Sequence, residues 1–91
     1  MRKIDSKYSI TEDGKLINSE NGKELPQDEP LFLFRAKDML ATVALQHYAL
    51  ACTDADIPDE HFIGVATALK EFGKFAIEHA DRMTIPGKAT T

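Results

Sequence analysis

Phe62, Val65, Leu69, Phe72 and Ala76 follow one another at spacings of 3, 4, 3 and 4. An α-helix places all five on one side, so the run predicts a long helix from Pro58 to about Ala80 with a single apolar stripe. Pro58 suits the first position of such a helix. Asp59 and Glu60 fall where negative charge complements the free N–H groups of a first turn. Gly64 and Gly73 are small enough to let another backbone approach, while Phe75 lies off the stripe. One long stripe has to be covered, and the remaining chain must supply the cover.

Upstream, "LFLFR" (Leu31 to Arg35) alternates Leu and Phe on opposite faces, and both faces are apolar. A half-solvated strand would alternate apolar with polar, so the segment predicts a strand covered on both sides. Pro30 fits its first position. Asp38 is a good N-cap for a first helix running from Asp38 to about Cys52, with Leu40, Val43, Ala44, His47, Leu50 and Ala51 at helical spacing. Earlier still, Asp13-Gly14 separates short runs carrying Ile10 and Leu16-Ile17, the pattern of a tight β-hairpin. Asn21-Gly22 gives a second turn. The expected fold class is therefore α+β: an N-terminal hairpin and a third strand in a small antiparallel sheet, packed with two C-terminal helices. The expected organisation is a single domain, residues 1–91, divided into 1–35 (β-rich), 38–52 (first helix), 58–80 (second helix) and 84–91 (flexible tail). Phe34, Leu40, Leu69 and Phe72 are the expected core. The apolar surface left over, Phe75 and Ile77 included, predicts a homo-oligomer, most simply a dimer.

The chain has 91 residues, 15 acidic against 11 basic, for a formal net charge of -4. That balance argues against non-specific nucleic-acid binding, which needs a basic stripe to displace counterions. A single cysteine, Cys52, excludes an internal disulfide and fits a reducing cytoplasm. "MRKIDSKYSI" lacks the apolar stretch of a secretory signal, and no run is long enough to span a bilayer.

Signatures of catalysis are missing. There is no Walker loop, dinucleotide fingerprint or GxSxG context, and Cys52 has no evident base at a fixed spacing. His47, His61, His79 and Cys52 do not repeat at metal-ligand spacings, so no metal and no cofactor is expected. "DADIPDE" fails the calcium-loop pattern, having Asp59 and Val65 where Gly and Glu are required. The chain is not expected to be an enzyme. What remains is "RAKD", where Arg35 and Lys37 precede a helix start. Two cations beside free N–H groups could grip a phosphate, with Tyr8 or Tyr48 stacking on a base. Alternatively Asp38, itself an anion, caps the helix and fills that position.

At "DEPLFLFRAKDMLA" and again at "FGKFAIEHADRM" the chain resembles small accessory proteins carried by bacteriophages and prophages. Those share a "DGK(L/I)" hairpin, a "DEP(L/V)F" strand, an "RA-D" junction and a closing helix ending near "H-(D/E)RM". The resemblance covers Ile4 to Met83. It implies a phage-encoded accessory protein acting in the bacterial host cytoplasm, where such proteins block host components, including defence proteins or their nucleotide signals. The leading expectation is a non-catalytic inhibitor of a host defence protein acting through an acidic surface. Asp28, Glu29, Asp54, Asp56, Asp59 and Glu60 are its candidate contacts, with Glu12, Asp13, Glu20 and Glu24 as further contributors. A sponge for a cyclic nucleotide or other phosphate-bearing signal, held by Arg35, Lys37, Tyr8 and Tyr48, is the first alternative. A virion structural or assembly protein is the second.

Overall fold

A computed structural model describes residues 1–86. The class is α+β, with three short antiparallel strands followed by two helices. The chain divides into two compact units, Met1–Phe32 and the part from Leu33 onward.

In the first unit β1 (Arg2–Lys3), β2 (Tyr8–Ile10) and β3 (Leu16–Asn18) lie in sequential order. The register sets Arg2 opposite Ile10, and Ser9 opposite both Lys3 and Ile17. Each connection is fixed by its own polar residue. Asp5 accepts the N–H groups of Lys7 and Tyr8 at 2.8 Å each, which turns β1 into β2. The hairpin closes through Thr11, whose N–H donates to the Lys15 carbonyl at 2.8 Å and whose hydroxyl bonds the Asp13 carboxylate. Gly14 and Gly22 take φ of 87° and 72°, which a side chain would resist, so the Asp-Gly and Asn-Gly pairs sit where the expected turns lie. Past Gly22 the chain returns to β3, with Leu25 N–H on the Leu16 carbonyl at 3.0 Å. Ser9 is the buried residue of the unit, and its hydroxyl meets that of Ser19 at 2.6 Å.

The expected strand at Leu31–Arg35 is not formed. The segment is irregular, and all five residues are exposed, Phe32 at 84%. The place of a third strand is taken by β1, which the sequence reading had missed. A strand needs a partner for its N–H and C=O groups, and apolar alternation does not provide one.

In the second unit α1 (Ala41–Asp54) and α2 (Asp59–Glu78) pair with each other through the short connection 55–58, and a 3₁₀ turn, α3 (Ala80–Arg82), follows. α1 begins three residues later than expected and ends two later. Its buried residues are Ala41 and Cys52, with Leu45 and Ala49 half-buried at the same helical spacing. Of the expected stripe only Ala44 is half-buried; Leu40, Val43, His47, Leu50 and Ala51 are exposed, Leu40 at 59%. α1 carries apolar residues on both of these faces and no charge before Asp54 to mark the outer one, so periodicity alone does not distinguish the face toward α2 from the other.

The α2 stripe was read correctly in the main: Val65, Leu69, Phe72 and Ala76 are half-buried, and Phe62 sits at the exposed margin. Of the four expected core residues, Leu69 and Phe72 are half-buried while Phe34 and Leu40 are exposed. Phe75 is also half-buried, stacked against His79 at 4.8 Å with the Arg82 guanidinium over its ring at 4.8 Å. It therefore adds little to the uncovered surface, unlike Ile77 at 84% exposure. A Cβ built on Gly73 meets nothing within 4 Å, so no backbone approaches there. The expected flexible tail falls partly outside the described residues, and its first member, Thr84, is hydrogen-bonded to the start of α1.

Candidate functional site

The "RAKD" junction becomes a tight turn tied to the far end of the unit. Asp38 N–H donates to the Arg35 carbonyl at 3.0 Å. Thr84 N–H donates to the Lys37 carbonyl at 2.8 Å, and Met39 N–H returns to the Thr84 carbonyl at 2.9 Å, forming a one-residue parallel bridge between Asp38 and Thr84. The Asp38 carboxylate accepts the Leu40 N–H at 2.8 Å, and its carbonyl accepts the Ala41 N–H at 3.1 Å. Asp38 is thus the organiser of the turn before α1; the residue flanking the helix is Leu40, which has no side-chain cap. Every amide from Asp38 to Ala41 has an internal acceptor. A phosphate here would find side-chain cations but none of these N–H groups.

Arg35 is exposed and Lys37 half-buried, and among the described residues neither makes an ion pair. Tyr48, on α1, shares a 2.9 Å hydrogen bond between its hydroxyl and His61 Nε2 on α2, with the rings edge-on at 6.0 Å. Tyr8 lies on β2 of the first unit, with the Lys7 ammonium 5.7 Å from its ring centroid. Arg35, Lys37 and Tyr48 belong to the second unit.

The acidic residues sort in the same way. Asp28 and Glu29 are exposed in the first unit, beside Pro30. Asp54 closes α1, Asp56 sits in the connection with φ of 53°, and Asp59 and Glu60 open α2. These last four put exposed carboxylates at one end of the helical pair. Among the described residues none of the six is in an ion pair, and no three metal-ligating side chains converge. Cys52 is buried and so shielded from substrates. Among the described residues no helix is long and apolar enough to cross a membrane.

Two features escaped the sequence reading. The Thr84 tie had no signal beyond one β-branched residue near the end of the chain. The Arg82–Phe75 contact had no spacing signal either, because α2 ends at Glu78 and the break at His79 is what turns Arg82 back over the Phe75 ring. No protein-family model matches the chain, and neither curated proteins nor solved structures give a match.

Proposed function

We propose that the chain is a non-catalytic, phage-encoded accessory protein that binds and blocks a host bacterial protein, most simply a defence protein in the host cytoplasm. The observation that supports this is the end of the helical pair, where Asp54, Asp56, Asp59 and Glu60 are exposed without a cation partner among the described residues. Uncompensated carboxylates on a rigid helix end steer a basic partner by long-range attraction. Self-association belongs to the same reading, because a dimer would cover apolar helix surface that is exposed in the single chain.

The test is binding of a host protein captured on the immobilised chain and then purified. The expected result is an affinity that falls with salt and drops at least tenfold in the Asp56→Lys/Asp59→Lys/Glu60→Lys variant. Binding indifferent to both would overturn the acidic-end reading.

The sponge is the second reading, supported by Arg35 and Lys37, two neighbouring cations without a carboxylate partner among the described residues of an acidic chain. Against it stands the occupied amide set of residues 38–41. A rise in melting temperature with a cyclic dinucleotide, lost in Arg35→Ala, would put this reading first.

A further inference from the structure

No charged side chain occurs between Asp38 and Asp54, so the exposed surface of α1 is uncharged up to its last residue, with Gln46 and Thr53 on its polar, solvated side. One side meets α2. On the other, Met39, Leu40, Val43 and Leu50 remain 51%, 59%, 48% and 63% exposed, with His47 among them. Leu40, Val43, His47 and Leu50 are spaced 3, 4 and 3, the seam of a helix–helix contact. An apolar stripe along a helix is ordinarily the side that is covered.

We infer that the outer face of α1 docks on the same face of a second copy, the two α1 helices running antiparallel. This rests on the homodimer reading and goes beyond it by assigning the surface and its orientation. Three observations favour a second copy. The face is free of charge, so it can oppose itself without like-charge repulsion, as a two-fold interface requires. The exposed parts of these four apolar side chains, taken over two copies, amount to roughly 800 Å², and His47 and Ala51 beside them bring the seam toward the ~1,000 Å² of a specific interface. The ends are also complementary. Arg35 and Lys37 precede α1, while Asp54 closes it, so antiparallel packing brings the cations of each copy toward the carboxylate of the other. Parallel packing would instead set like charges together at both ends. Asp56, Asp59 and Glu60 stay available outside the seam.

The experiment is light scattering or sedimentation of the full chain at micromolar to hundred-micromolar concentration. Twice the 10.1 kDa chain mass is expected. Val43→Glu and Leu50→Glu should each give a folded monomer, with helix content by circular dichroism unchanged. A monomeric parent at all concentrations overturns the dimer itself. A dimer indifferent to both Glu variants overturns only the surface. Orientation is read from Lys37→Glu and Asp54→Lys, each weakening the dimer severalfold, with the double reversal restoring it. Absence of that rescue overturns the antiparallel arrangement.

Discussion

The two units are held together by different means. The strands of the first hold Tyr8, Ile10, Leu16 and Ile17 half-buried, and their order is fixed by turns in which a named polar group accepts a named amide: Asp5, Thr11, Asn18 and Asn21 each do so. The helices of the second have no side-chain caps and few hydrogen bonds beyond their own backbone, and they depend on how one face of α1 fits one face of α2. Local hydrogen bonding tolerates loss of apolar volume but not of backbone conformation. Side-chain packing behaves in the opposite way. The contrast predicts which substitutions each unit will feel.

The largest effect belongs to the helical unit. Phe72 lies at the middle of the α2 stripe, and Phe72→Ala should cost roughly 2–4 kcal/mol, somewhat under the loss at a fully buried Phe because its ring is only half-buried. Thermal or denaturant unfolding followed by helix signal checks this; a midpoint within a degree or two of the parent would mean that α2 is not held by its stripe. Next comes a paired test of which face of α1 is inside. Ala41 is fully buried and Ala51 exposed. Ala41→Leu should therefore destabilise by roughly 1–3 kcal/mol through overpacking, while Ala51→Leu stays within about 0.5 kcal/mol. Equal effects would erase the distinction between the two faces.

That distinction is where sequence reasoning failed, for a physical reason. The turns at Asp13-Gly14 and Asn21-Gly22 were legible because their chemistry is local: the residue that needs positive φ and the residue that tolerates it are the same. The α2 stripe was legible because charged residues such as Lys70, Glu71 and Lys74 mark its other side. α1 has no such marker, and Leu31–Arg35 has the alternation of a strand but not its conformation. Pairing is a property of two segments, and β1 competes for β2 through backbone groups that leave little trace in residue type. Of the proposed sites, the Asp38 turn was foreseeable as chemistry, but the Thr84 segment that completes it lies 46 residues away and carries no signature.

One substitution applied to both units should give opposite signs. Gly14 has φ of 87° and Gly73 is inside α2, and a Cβ at either meets nothing within 4 Å. Sterics with neighbours drop out, leaving only backbone conformation. Gly14→Ala should cost about 1–2 kcal/mol, since an L side chain resists the left-handed region. Gly73→Ala should stabilise by about 0.5–1 kcal/mol, because alanine loses less entropy in a helix. Melting curves of the two variants on either side of the parent are the expected outcome; a destabilised Gly73→Ala would mean that something approaches α2 there after all.

The smallest effect is expected at Asp38, where the two styles meet: a polar local turn inside the unit that otherwise depends on packing. Its carboxylate holds only the Leu40 N–H, on a half-exposed side chain, so Asp38→Ala should cost roughly 0.5–1 kcal/mol, the low range for a group of this kind. The bridge to Thr84 runs through backbone atoms and survives the substitution, which is why the loss stays small. Asp38→Asn keeps an acceptor oxygen and should lose less than Asp38→Ala. Arg35→Ala should be neutral within about 0.3 kcal/mol, since an exposed cation outside any ion pair contributes little to stability. Urea titrations of the three variants check the order. If Asp38→Ala proves neutral as well, the turn is held by the Thr84 backbone bonds alone, and the Asp38 carboxylate is then free to be displaced by an anion that Arg35 and Lys37 could hold.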